Sequence, residues 1–191
     1  FSDIQADLAA KLIKANLQVL IFNQRSIEEI LEVILTIGRI VAAEDRAQKL
    51  VDGYKKRLDK YRENSDKIQN KPKVYFEEWD DPTFSGIRWV SELIEIAGGE
   101  DIFANKSHGK LAMEREIQWS DVIEKNPDVI LASWCGKPVD IDSIKKREGW
   151  NEITAIKNDR IHEIDSSIIL QPGPACLTDG LKVLEQLITG K

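Results

Sequence analysis

The chain is poor in the side chains that hold bare metal ions. It has two histidines, His108 and His162, and two cysteines, Cys135 and Cys176. The cysteines show no CxxC spacing, so a closed His/Cys metal set is not expected. They are either two free thiols or one disulfide. Nucleophile elbows, dinucleotide fingerprints and phosphate loops are also missing: there is no GxSxG, GxGxxG or GxxxxGK[ST]. No apolar run approaches the ~20 residues that span a bilayer. Positive charge is not in excess. The net charge of -6 argues against nucleic-acid binding and gives no reason for adhesion to anionic lipid. What remains is a chain of 191 residues, 42% hydrophobic and 31% charged, a balance that suits a packed core. It opens on Phe1 rather than Met, and an upstream segment is expected.

Periodicity then divides the chain. Ile4, Leu8, Leu12 and Ala15 share one helical face. Leu17–Phe22 is short, apolar and β-prone, and reads as a buried strand. Ser26 with Glu29 is a capping box for a helix whose stripe is Ile27, Ile30, Leu31, Ile34 and Val41. From about Ala43 to Ile68 a long amphipathic helix is predicted, on the stripe Ala47, Leu50, Val51, Tyr54, Leu58, Tyr61 and Ile68. Beyond Pro72, strands are expected at Lys73–Trp79, Asp128–Trp134 and Arg160–Asp165. Helices alternate with them: Ser85 to about Ala97, a short one capped by Ser120, one capped by Asp140, and a last one beginning at Pro174.

Alternation of this kind predicts an α/β protein with mainly parallel pairing. Three parts are expected: 1–41 a partial N-terminal α/β lobe, 42–70 a connecting helix, and 71–191 a C-terminal α/β lobe. One strand between two helices in the first part cannot bury both sheet faces. That lobe therefore reads as incomplete, and self-assembly through it is one reading.

Several stretches give this order a resemblance. Phe1-Ser-Asp-Ile-Gln-Ala-Asp-Leu, Asn23-Gln-Arg-Ser-Ile, Glu92-Leu-Ile-Glu-Ile-Ala-Gly-Gly-Glu-Asp-Ile-Phe, Lys125-Asn-Pro-Asp-Val-Ile-Leu and Gln171-Pro-Gly-Pro occur in this sequence. In order and spacing they resemble the substrate-binding proteins of ABC importers in which one helix joins two Rossmann-like lobes, the class serving cobalamin, haem and iron–siderophore import. The resemblance covers almost the whole chain. It implies capture of a large metal chelate between lobes, delivery to a membrane ABC permease, a periplasmic or other extracytoplasmic location, no resident cofactor and no catalysis. It also implies acids that dock on the permease. In the N-terminal lobe these fall near Asp3 or Asp7. In the C-terminal lobe the position aligns with Ser120, with Glu116 and Asp121 as neighbouring carboxylates.

Ligands of open α/β sheets lie beyond the carboxyl ends of the strands. The candidates there are Glu78, Trp79 and Asp80 after the first C-lobe strand, Trp134 and Cys135 after the second, and Ile168 and Gln171 after the third. Phe1 holds the equivalent place in the first part, and Arg115 lies in a polar loop bordering the same cleft. Flat tryptophan surfaces suit a corrin, porphyrin or siderophore. The run Glu77-Glu78-Trp79-Asp80-Asp81 admits another chemistry, since paired carboxylates serve as general acid and base or hold a divalent cation. The alternatives are a non-transport self-assembling α/β module and a metal-dependent enzyme using the Glu77–Asp81 loop.

Overall fold

In this computed structural model the backbone is described for residues 3–190 and side-chain surroundings for residues 6–190. The chain opens with α1 (Asp3–Lys14) and α2 (Ile27–Ile40). α2 begins where its cap dictates. Ser26 Oγ accepts from Glu29 N at 3.2 Å, and the Glu29 carboxylate accepts from the backbone N–H groups of Arg25 and Ser26. Its buried face is Ile27, Ile30 and Leu31.

Between these helices the expected strand at Leu17–Phe22 does not form. A strand needs a neighbour to take its N–H and C=O groups, and none of the described strands runs beside this segment. Leu17, Leu20 and Ile21 are exposed instead.

The long helix is present as α3 (Glu44–Ser65), 22 residues or ~33 Å at 1.5 Å each. Ala47, Val51, Leu58 and Ser65 are its buried stripe. α2 and α3 meet at Gly38. A Cβ there would lie 2.4 Å from that of Ala47, so only glycine permits the close crossing.

The sheet is built from β1 (Lys73–Asp80), β2 (Thr83–Ser85), β3 (Glu100–Asp101), β4 (Val129–Ala132) and β5 (Ile161–Glu163). β1, β4 and β5 pair in parallel, with Tyr75 opposite Ile130 and Leu131 opposite His162. β3 extends the start of β1 in parallel, and β2 folds back antiparallel on its end. β2 was not anticipated. It takes Ser85 out of the following helix, so α4 (Arg88–Ile96) starts later than the sequence suggests. α5 (Trp119–Lys125) is likewise not capped by Ser120, which lies inside it. Gln118 precedes its first turn and donates its N–H to Asp121 Oδ2. α6 (Ile141–Lys145) does carry its Asp140 cap. The short helices α7 (Thr154–Lys157) and α8 (Ser166–Ile169) flank β5. A helical run from Pro174 passes through a π turn at Cys176–Gly180 into α9 (Leu181–Thr189).

The central strands are buried on both faces, and alternation sorts their side chains. Val74, Phe76, Val129 and Leu131 join one core with α4 and α9; Tyr75, Ile130 and Ala132 join the other with Trp134, Ile144, Trp150 and Ile153. The first core also holds Ile30 and Leu31 of α2 and Val51 and Leu58 of α3. Residues 1–41 and 42–70 are thus tied to 71–191 by shared apolar burial. Polar ties reinforce the junction: Trp89 N donates to Arg25 O at 3.0 Å, Ile27 N to Glu92 Oε2 at 2.7 Å, and Gln24 Nε2 to Pro172 O at 3.0 Å. No helix among the described residues is long and apolar enough to cross a membrane.

Candidate ligand-binding site

Three carboxylates leave the end of β1, and each meets its own cation. Glu77 turns into the sheet's second core. Arg147 Nη2 donates to its Oε1 at 2.9 Å while Nη1 grips Oε2, and Tyr75 and Trp134 add an O–H and an indole N–H. Glu78 accepts from both Nη groups of Arg115 and from Ile87 N at 2.9 Å, which places the start of α4. Arg115 also donates to Ser85 O, so the polar loop, β2 and β1 are laced together. Asp80 accepts twice from Lys137 Nζ, at 2.7 and 2.8 Å. Burial opposes ionisation of Asp80, but the hydrogen bonds and charge of Lys137 outweigh it and hold its carboxyl below the usual range. The Lys137 ammonium lies 4.3 Å from the Trp79 ring centre and 4.8 Å from that of Trp134. Carboxylates neutralised in this way are poorly suited to hold a cation or shuttle protons. Among the described residues no cluster of His, Cys, Asp and Glu is arranged to bind a metal ion.

Beyond the strand ends lies a cleft made of two cavities that share Arg25, Ile87, Trp89 and Leu170. One, of about 520 Å³, lies between α1 with the 19–25 segment and Gln171-Pro172. The other, of about 660 Å³, lies over the ends of β1 and β4 and beside the 110–115 loop. Glu78, Trp79, Arg115 and Cys135 line the second cavity and Gln171 the first. Trp79 is half-buried, and its Nε1 donates to Asp81 O at 3.1 Å, which leaves the ring along the wall. The other candidates stand back from these two cavities. Asp80 is held by Lys137 behind Trp79. Trp134 is 5% exposed and packed in the second core. Ile168 packs on the first core, while its neighbour Leu170 reaches the cleft. Phe1 lies outside the described residues.

Of the proposed docking acids, Asp7 is exposed on α1, and the side chain of Asp3 lies outside the described residues. Ser120 is exposed on α5, and Asp121 is half-buried there. Glu116 bridges to Phe84, and its carbonyl accepts from Lys106 Nζ. Cys135 and Cys176 are both free thiols. Several residues that line the cleft were not among the candidates, Arg25, Trp89, Leu111, Met113 and Leu170 among them. Leu111 and Met113 are large apolar side chains standing exposed in a charged loop, a pattern visible in the sequence. Trp89 lies on the buried stripe of α4. It is buried, yet it edges both cavities, with Nε1 fixed by Ile169 O at 2.9 Å. Arg25 stands just before the Ser26 cap of α2 and lines both cavities.

The periplasmic binding protein family model matches residues 1–168. An uncharacterized ABC transporter substrate-binding lipoprotein of Bacillus subtilis is 28% identical over 189 residues, 96% of this chain and 57% of the relative. The vitamin B12-binding protein of Vibrio parahaemolyticus is 28% identical over 103 residues, 54% of this chain and 35% of the relative. The chain therefore spans a little over half the length of one curated relative and matches about a third of the other. A solved structure from Staphylococcus epidermidis, described as a possible iron-binding periplasmic solute-binding protein, superposes with a TM-score of 0.78 at 26% identity, covering 96% of this chain and 70% of the other. These likenesses agree with the α/β sheet, the long α3 strut and the cleft beyond the strand ends: the chain belongs to the periplasmic binding protein family.

Proposed function

We propose that this chain captures a large metal chelate in its cleft and presents it to an ABC permease on the outer face of a cytoplasmic membrane. One observation carries the reading: the two joined cavities run from α1 to the ends of β1 and β4, with Trp79, Trp89, Leu170 and Met113 offering apolar wall and a few polar groups set among them. Broad apolar walls with sparse polar anchors suit a ligand that is wide, flat or bulky and already holds its metal. Pairing of Glu77, Glu78 and Asp80 with Arg147, Arg115 and Lys137 supports binding without catalysis. Glu78, Trp79, Arg115, Cys135 and Gln171 are the proposed contacts. Asp80, Trp134 and Ile168 support them from behind. Asp3, Asp7, Glu116, Ser120 and Asp121 are the proposed permease-docking positions, where exposed charge sets encounter rate and register more than affinity.

Tryptophan fluorescence tests the reading, because Trp79 and Trp89 both border the cleft. The chain is titrated with cyanocobalamin, haemin and ferric siderophores. Saturable quenching by one of them, weakened by Trp79→Ala, is the expected result. Quenching by none sinks it.

A second reading rests on a separate observation. Leu8, Ile13, Leu17, Leu20, Ile21, Ile37, Ile40, Val41 and Leu50 are all exposed, and all fall in the first fifty residues. So much apolar surface on one part of a chain is the mark of a covered face, and a second copy would cover it. Sedimentation velocity across a hundredfold concentration range decides this, a constant monomer mass ruling it out.

A further inference from the structure

Arg25 sits where the two cavities meet and lines both. Its backbone is held from two sides: its carbonyl accepts from Trp89 N, and its N–H donates to the Glu29 carboxylate. Among the described residues the guanidinium makes no ion pair and donates no hydrogen bond, and its Nε is buried without an acceptor. A buried donor left without a partner is destabilising, and more so when it is charged.

The surroundings point the same way. The charged side chains lining the two cavities are Arg25, Lys110, Arg115 and Glu78, three positive against one negative, in a chain whose net charge is -6. Glu78 is already committed to Arg115. Even so, Arg115, at 3% exposed, keeps a buried Nε with no acceptor. Lys110 stands exposed at the rim and forms no ion pair among the described residues. A concave surface of this sign, cut into a negative molecule, focuses positive potential and draws anions. A neutral ligand closing over it strips water from the Arg25 guanidinium and returns only uncharged acceptors, which bind a cationic donor more weakly than an anionic oxygen does. A ligand with a carboxylate or comparable anionic oxygen receives a planar fork of donors, the geometry that guanidinium groups recognise in pairs of oxygens.

We infer that the cleft selects a chelate bearing peripheral anionic oxygens, and that Arg25 is the side chain that receives them. The inference rests on the chelate-capture reading and narrows it, setting anionic chelates above those with an amide or hydroxamate periphery.

The test uses matched probes on the chain and on Arg25→Gln and Arg25→Lys, whose melting temperatures are checked first against the parent. Haemin, with two carboxylates, is compared with its dimethyl ester, which keeps the ring and loses the charge. A ferric tris-catecholate is compared with a neutral ferric tris-hydroxamate, which keeps the six-oxygen iron centre and loses the net charge. The expected result is binding of haemin or the tris-catecholate at least about ten-fold tighter than its neutral counterpart, one charge-assisted hydrogen bond being worth about that factor. Arg25→Gln should remove that preference, Arg25→Lys should keep part of it, and added salt should weaken it. Equal affinity for haemin and its ester, or an Arg25→Gln variant that binds the anionic probe as the parent does, overturns the inference while leaving chelate capture standing. Failure of all four probes to bind overturns both.

Discussion

Arg147 closes on Glu77 inside the second core, seventy residues away in sequence, through a forked pair whose Nη2–Oε1 arm measures 2.9 Å. Glu77 is 0% exposed and Arg147 8%. The guanidinium lies 4.8 Å from the Trp119 ring centre and 4.6 Å from that of Trp150, and the Tyr75 hydroxyl and Trp134 indole take up further carboxylate sites. Burial disfavours the Arg147 cation, but the Glu77 carboxylate outweighs it and leaves its pKa raised. The pair joins the end of β1 to the segment after α6. It thereby fixes the frame from which Glu78 and Trp79 reach the cleft.

Breaking one side of such a pair strands a charge where water cannot reach it. Arg147→Met should therefore cost about 3–5 kcal/mol of folding stability. Glu77→Gln with Arg147→Met together should recover a good part of the loss, since no buried charge remains. Urea denaturation of the parent, the single variant and the double variant checks both statements. A single variant within about 0.5 kcal/mol of the parent would show that water reaches Glu77.

The same cluster sets a high-pH limit. Burial, and then the neighbouring Glu77 carboxylate, raise the Tyr75 pKa well above 10. In the unfolded chain Tyr75 loses its proton near pH 10, while the folded protein keeps it. The unfolded state then binds fewer protons, so stability falls as pH rises, by up to about 1.4 kcal/mol per unit for this one group. Tyr75→Phe should flatten the decline between pH 10 and 11. Denaturation midpoints of parent and variant, measured in that window and at pH 8, give the slope directly, and identical slopes would refute the assignment.

Local signals and long-range partnerships were legible to different degrees. α2, α3 and the Asp140 cap could be read because their causes lie within four residues: a capping box, a 3.6-residue stripe, an Asx cap. Leu17–Phe22 misled because a strand is made by its neighbour, and β propensity without a partner leaves apolar residues in solvent. The β2 return was hidden for the same reason. The loops beyond β1 and β4 line a cavity, as strand ends in open sheets do. The pairing of Glu77, Glu78 and Asp80 was not readable, since their cations lie 70, 37 and 57 residues away. Arg25 was passed over because a basic residue in a turn looks solvated until the chain around it is folded.

The two thiols should react differently. Cys176 is buried, and desolvation pushes its pKa to about 11; Cys135 is exposed and lines the cleft. Thiolate is the reactive form, so with a pKa of about 11 only about one Cys176 in a thousand is ionised at pH 8, and the surrounding core also keeps the reagent out. Iodoacetamide should label one equivalent in the native protein, at Cys135, and two in urea. A bound chelate that slows labelling of Cys135 would place it over the end of β4. Mass spectrometry of the digested protein assigns the sites, and native labelling of Cys176 would contradict its burial.

Gly180 ends the π turn, where the final helical run passes behind the cleft loop. A Cβ at this position would fall 2.3 Å from the carbonyl oxygen of Ile168 and 3.4 Å from Ile169 Cδ1. The first contact is with backbone, which cannot swing aside as a side-chain tip does. Its φ of -58° is ordinary for a helix, so alanine would meet no torsional objection there and would even gain helix propensity. Any loss of stability must therefore come from the collision. Gly180→Ala should destabilise by about 1–3 kcal/mol, the usual range for forcing an extra methyl group into a packed site. The strain should also shift α8, and with it Leu170 and Gln171 at the cleft wall, so chelate affinity should fall in the same variant. Gly173→Ala serves as the control, since a Cβ there meets nothing within 4 Å. Thermal melts of the two variants separate the effects: a loss confined to Gly180→Ala fixes the close approach of the π turn to Ile168, and equal losses would mean that glycine flexibility, not space, is what this segment requires.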